Sequence, residues 1–159
     1  AFTASICNLR PTSRGSVHAA SPDVHDAPLI DPNFLGTEED MQVATDSLRL
    51  TRRIVAQPPL APFRPQEFRP GPELTTEADL RRAAAEMCST IFHPAGTAAM
   101  GGDGDAMAVL DERMRVRGVE RLRVIDASAM PRLVSGNTNA PTIMMAEKGA
   151  AMVIEDARA

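Results

Sequence analysis

The chain contains no tryptophan and no tyrosine, and only five phenylalanines among its 159 residues. That scarcity leaves little with which to stack nucleic-acid bases or sugar rings. Two cysteines, Cys7 and Cys88, are too few for a disulfide framework or a zinc set, and both read as buried or idle thiols. His18 and His25 have no Cys or third His at ligand spacing, so no metal is expected. Positive charge is in deficit: 17 Lys+Arg against 21 Asp+Glu leave a net charge of −4. The densest basic stretch, Arg113 to Arg123, is interrupted by acids, so no nucleic-acid partner is expected. No apolar run approaches the ~18 residues of a membrane span. The opening has no initiator Met, no basic n-region and no long apolar h-region. It reads as a chain cut mid-protein and not as a signal peptide.

What is present suits a globular domain. Hydrophobic residues make up 43% and charged residues 24%, close to ordinary usage. Nine methionines predict an adaptable, sulfur-rich core. Phe2, Ile6 and Leu9 suggest a strand over residues 1–10, paired through an Arg10–Gly15 turn with a short strand at 16–20. Residues 22–32 read as irregular. Thr37 followed by Glu38, Glu39 and Asp40 opens a helix whose stripe is Met41, Ala44, Leu48 and Val55, and Pro58-Pro59 stops it. Six prolines in residues 58–72 mark a loop or crossing arm, either a surface connector or a lid. Thr75-Thr76-Glu77 caps a second helix running to about Met87. Residues 122–127, Leu-Arg-Val-Ile-Asp-Ala, form the clearest strand. Asn139 caps a last helix with Pro141 in its first turn, where a missing N–H costs nothing.

Two clusters could carry chemistry. His93 precedes Pro94, which keeps its backbone out of the helical region, and a small-residue run Ala-Gly-Thr-Ala-Ala follows. The residues alone fit a buried structural histidine or a site histidine. Ser135-Gly136-Asn137-Thr138-Asn139 leads into the last helix, whose free N–H groups suit negative charge. This stretch also fits a plain capping loop.

Three blocks taken together, in this order and spacing, carry a resemblance. They are His93-Pro94-Ala95-Gly96-Thr97-Ala98-Ala99-Met100-Gly101, Leu122-Arg123-Val124-Ile125-Asp126-Ala127-Ser128-Ala129-Met130-Pro131, and Gly136-Asn137-Thr138-Asn139-Ala140-Pro141-Thr142-Ile143-Met144-Met145-Ala146-Glu147-Lys148. Leu9-Arg10-Pro11-Thr12-Ser13-Arg14-Gly15 and Ile30-Asp31-Pro32-Asn33-Phe34 add to them. The chain resembles the C-terminal part of the glucose-methanol-choline (GMC) oxidoreductases, in their choline and alcohol dehydrogenase branch.

The resemblance implies an α+β fold: an antiparallel sheet with flanking helices, with elements packing on an FAD-binding Rossmann part absent from residues 1–159. It implies oxidation of an alcohol to an aldehyde or ketone. His93 would be the base that takes the hydroxyl proton, and FAD would take the hydride. Asn137 would be the second catalytic residue, with Asn139 the competing choice. Asp126 and Ala127 would touch the flavin from the strand end, and Asn139, Ala140, Pro141 and Thr142 would face its ring. An imidazole suits the base role because an isolated one titrates near pH ~6.5. A helix N-terminus carries about half a positive charge, which would steady the reduced flavin. The alternatives are a flavin-containing hydroxynitrile lyase, or a non-catalytic domain that docks with a partner. Expected partners are a small alcohol and the missing FAD-binding part, with self-association through exposed apolar surface. The expected location is cytoplasmic, with membrane association of the full-length protein left open. The isolated chain is expected to be colourless and inactive.

Overall fold

The computed structural model describes residues 1–158. The chain divides into two units, Ala1–Thr90 and Ile91–Ala159. The first holds strands β1 (Ser16–His18) and β2 (Leu29–Asp31) and helices α1 (Glu38–Val55) and α2 (Glu77–Met87). The second holds helix α3 (Asn139–Asp156) and a short 3-10 helix at Ala127–Ala129. Among the described residues no helix is long and apolar enough to cross a membrane.

The strand expected over residues 1–10 does not form, and the pairing differs. β1 pairs antiparallel with β2 in the register Ser16↔Asp31, Val17↔Ile30, His18↔Leu29. Phe2, Ile6 and Leu9 stay 62%, 45% and 46% exposed, so no apolar face is there to be gained by extending them. Pro28 and Pro32 bracket β2 and limit it to three residues, since neither can donate to a ladder. The segment read as irregular thus supplies the partner strand. His18 and His25 are exposed, and Cys7 and Cys88 are free and exposed rather than buried.

α1 and α2 form as their caps dictate. Thr37 accepts from the Asp40 N–H and Thr76 from the Asp79 N–H, and acids fill each first turn. The two helices pack on each other through buried Leu80, Ala83 and Ala84 and the half-buried stripe of α1. Arg81 pairs with Glu38 across the contact. Asp40, only 3% exposed, gathers the N-terminal arm. Its Oδ1 accepts from Asn8 Nδ2 at 3.0 Å, the Thr12 N–H at 2.9 Å and the Thr12 hydroxyl at 3.3 Å. Its Oδ2 accepts from the Ser13 N–H at 2.8 Å and from the Ser13 hydroxyl. The proline-rich arm is likewise tied to α1. It begins as a 3-10 helix, Pro58–Phe63, and Arg52 then holds Glu67 through two nitrogens at 2.9 and 2.8 Å, with the Gly71 and Leu74 carbonyls at 2.9 and 2.8 Å.

In the second unit the strand expected at 122–127 is cut short. The Val116 N–H donates to the Leu122 carbonyl and the Val124 N–H to the Met114 carbonyl around a single bridge, Arg115↔Arg123. Met114 and Arg121 sit at φ 60° and 59°, so the backbone bends before a longer ladder can form. Asp126 then opens the 3-10 helix. The core is built on Leu110, Met114, Ala129, Met130 and Met145, with Met100, Ile125 and Met152 packed against it. Gly149 lets α3 approach closely, because a Cβ there would lie 2.8 Å from Ile125 Cγ2 and 3.0 Å from Met114 Cε. Four of the five arginines of the basic stretch are spent on acids: Arg113 on Asp156, Arg115 on Asp111, Arg117 on Asp103 and Arg123 on Asp156.

Candidate active site

The His93 segment is laid against the Asp126 segment by backbone hydrogen bonds. The N–H groups of Gly96, Ala98 and Met100 donate to the carbonyls of Ala127, Ser128 and Ala129 at 3.2, 3.0 and 3.0 Å. Gly96 stands at φ 84°, a conformation glycine adopts without strain, and a Cβ there would sit 3.2 Å from the Met130 carbonyl oxygen. Immediately before His93, Phe92 is held at φ 62° with its side chain 83% exposed. A left-handed phenylalanine costs roughly 1–3 kcal/mol and persists only where its surroundings impose it.

The third block enters through α3. Thr138 stands at the N-cap position and is 8% exposed, yet its side chain makes no capping bond. In α1 and α2 the capping threonine accepts from the third helical N–H, those of Asp40 and Asp79. In α3 that third position is Pro141, which has no N–H to offer. The Thr138 hydroxyl is released from capping and lies 2.9 Å from Nδ1 of His93, 45 positions away in the chain. Thr142 donates its N–H at 3.0 Å and its hydroxyl at 2.7 Å to the Thr138 carbonyl, which pins the residue. Nε2 of His93 makes no hydrogen bond among the described residues.

The other expected residues lie around this pair. Asn137 and Asn139 are exposed, and neither side chain is hydrogen-bonded among the described residues. The residue brought onto His93 is therefore Thr138, with Asn137 beside it in the chain. The cap is also one residue earlier than expected: Thr138 takes that position and Asn139 is the first helical residue. Asp126 is exposed, and its Oδ1 accepts from the Ser128 N–H at 2.7 Å, while Oδ2 has no partner among the described residues. Ala127 is half-buried and its carbonyl is taken by Gly96. Thr142 has spent its hydroxyl on Thr138. Sequence reasoning passed over Thr138. The signal that could have found it was the proline three residues on, which denies it the job Thr37 and Thr76 perform.

The start of α3 suits a flavin. Its first turn holds no acid and no side-chain cap, and the exposed Asn139 and Ala140 N–H groups precede the first intrahelical bond, from the Thr142 N–H to the Thr138 carbonyl. The positive end of the helix is left without a counter-charge from its own first turn. Ala127 and Ala140 are small enough to admit a flat ring. A cavity of about 830 Å³ elsewhere in the unit is lined by Arg115, Arg117, Arg121, Arg123 and nearby acids, and takes in none of these residues. Among the described residues, no three His, Cys, Asp or Glu side chains are grouped to hold a metal ion.

The comparison with known families decides the affiliation, for the GMC oxidoreductase model matches residues 11–146. The chain belongs to the GMC oxidoreductases. The resemblance carried by the three blocks is thus borne out, and the family is one of FAD-dependent oxidoreductases. The chain is 45% identical over 145 residues to the oxygen-dependent choline dehydrogenase of Vibrio vulnificus (strain YJ016), covering 91% of this chain and 26% of that protein. The Proteus mirabilis (strain HI4320) enzyme of the same name is 46% identical over 147 residues, covering 92% and 26%. Among solved GMC structures, the FAD-dependent oxidoreductase from Chaetomium thermophilum superposes with a TM-score of 0.85 at 35% identity, over 94% of this chain and 26% of that one. Pyridoxine 4-oxidase from Mesorbium loti gives 0.83 at 36% identity, over 90% and 28%. This GMC chain therefore spans about a quarter of the length of these relatives.

Proposed function

We propose that this chain is the substrate-side part of an FAD-dependent enzyme that oxidises an alcohol to an aldehyde or ketone. The observation that carries the reading is that the Asp126 block is hydrogen-bonded to the segment that follows His93, while the third block brings Thr138 onto Nδ1 and Nε2 has no partner among the described residues. FAD, when bound, supplies the hydride acceptor. His93 takes the hydroxyl proton on Nε2, so the developing alkoxide is not left charged in the site. Asn137, exposed and without a side-chain partner among the described residues, holds the substrate oxygen by hydrogen bonds and fixes its direction. Asn139, Ala140, Pro141 and Thr142 would hold the flavin at the start of α3, where the helix end favours negative charge. Asp126, through its unspent oxygen, and Ala127 line the same cofactor.

α3 also supports a covering part outside this chain. Met145, Gly149 and Met152 face the core, while Ile143, Met144, Val153 and Ile154 are exposed. A helix apolar on both sides belongs between two layers. We assign the outer layer to the FAD-binding part, and self-association of residues 1–159 alone would follow from leaving it bare. Choline is the first alcohol to test, given the naming of the relatives. Phe92 is the one aromatic residue of the second unit, so the cage that a quaternary ammonium needs must be completed elsewhere.

The test is anaerobic stopped-flow reduction of the flavin in the full-length protein, with choline and a panel of other alcohols. His93→Gln should slow the limiting rate by about 10²–10⁴-fold while flavin content holds. Asn137→Ala should slow it more than Asn139→Ala. Reduction by His93→Gln at the parental rate would remove His93 from the mechanism, and the reverse order of the two asparagines would exchange their roles.

A further inference from the structure

We infer that Thr138 is the positioning residue for His93, holding the imidazole and accepting its Nδ1–H while Nε2 takes the substrate proton; this rests on the reading of His93 as the base. The 2.9 Å contact engages Nδ1 and leaves Nε2 as the working nitrogen. A hydroxyl can meet Nδ1 in two ways. If it donates, the ring must carry its hydrogen on Nε2 and has no lone pair there for an alcohol. If it accepts, Nδ1 carries the hydrogen and Nε2 is open. In the proton-transfer step the substrate O–H bond breaks and an Nε2–H bond forms. The ring becomes a cation with hydrogen on both nitrogens, and only the accepting hydroxyl can then stay bonded to it.

The local structure commits Thr138 to this contact. Pro141 removes the third-position N–H that the capping threonines of α1 and α2 use, and two bonds from Thr142 fix the Thr138 carbonyl. Burial of all but 8% of the residue and a branched Cβ restrict its rotamers. On the other side, Pro94 restricts the backbone that carries the imidazole. The residue thus ties the ring to the first turn of α3, the same turn that is assigned to the cofactor.

The test uses the full-length, flavin-loaded protein with ¹⁵N-labelled histidine. The His93 tautomer is read by long-range ¹H–¹⁵N correlation and assigned by its absence in His93→Gln. The parent should carry its hydrogen on Nδ1. Thr138→Val, nearly equal in shape, should populate the Nε2–H form. It should also slow the limiting rate of flavin reduction by about 10- to 100-fold, the weight of a hydrogen bond to a charged group, with substrate affinity little changed. Thr138→Ser should keep the tautomer and a rate within about 3-fold of the parent. Should the valine variant fail to fold, Thr138→Ala set against Thr138→Ser makes the same comparison. An Nε2–H ring in the parent overturns the proposal. So does a tautomer and rate unmoved by Thr138→Val in a protein that His93→Gln inactivates, and that outcome leaves the base reading intact. A fully active His93→Gln overturns the base reading itself.

Discussion

Replacing Asp40 by Asn tests how the first unit is held together. The carboxylate is 3% exposed and takes five donors, three on one oxygen and two on the other. The backbone N–H of Thr12 addresses Oδ1 and that of Ser13 addresses Oδ2. An amide presents one oxygen and one NH₂, so in either orientation a backbone donor faces a donor and cannot turn away. One stranded N–H costs about 1–3 kcal/mol, and the surviving bonds lose their charge assistance. Easier burial of a neutral group offsets part of this, which leaves a local destabilisation of about 3 kcal/mol. That corresponds to roughly 150-fold faster opening of the arm, at 1.36 kcal/mol per factor of ten. The assay is hydrogen exchange followed by mass spectrometry on peptides spanning residues 8–16 of the full-length protein. Asp46→Asn is the control, since Asp46 is exposed and outside the network. If exchange of Thr12 and Ser13 stays within about 3-fold of the parent, the carboxylate is not what holds the arm.

Acid should loosen the same unit. Burial pushes the Asp40 carboxyl up, but the hydrogen bonds from Ser13 and Thr12 outweigh it and hold it below its ordinary 3.8. The Arg52 guanidinium, against the effect of burial, likewise holds Glu67 below its ordinary 4.5. Both groups bind protons more weakly when folded, so their contribution is complete above those ordinary values and is lost as pH falls beneath them. Circular dichroism titrated downward should be flat to about pH 4.5 and decline below it; a loss already complete at pH 6 would contradict the assignment. In the second unit, Gly149→Val should lower stability by about 1–3 kcal/mol through overpacking against Ile125 and Met114, seen as a lower thermal midpoint. A midpoint at or above the parent's would mean that α3 does not need the close approach.

The helices were readable because their signals are local. Thr37 and Thr76 with their first-turn acids announce α1 and α2, and Pro141 places the start of α3 to within one residue. The strand at Ser16–His18 was readable but its partner was not, because that strand had to choose between two apolar segments and the choice was made through space. The family was legible from the motif blocks, and they also made His93 the candidate base. The contact of that histidine was not legible, because 45 positions separate Thr138 from the ring and nothing local announces where a spare hydroxyl will go. Asp40 shows the same limit: it reads as one of three helix-start acids, and only the fold turns it into the anchor of Asn8–Ser13.

The methionine core has a chemical consequence of its own. Met114, Met130 and Met145 are 3%, 2% and 7% exposed, whereas Met107 and Met144 are 84% and 60% exposed. Peroxide reaching this molecule meets the outer thioethers first, and a sulfoxide at Met107 disturbs no packing. Met144 and Met145 are adjacent on one helix yet sit on opposite sides of that divide. Damage that passes from Met107 to Met145 would swap a tolerable lesion for a polar, chiral group in the middle of the fold.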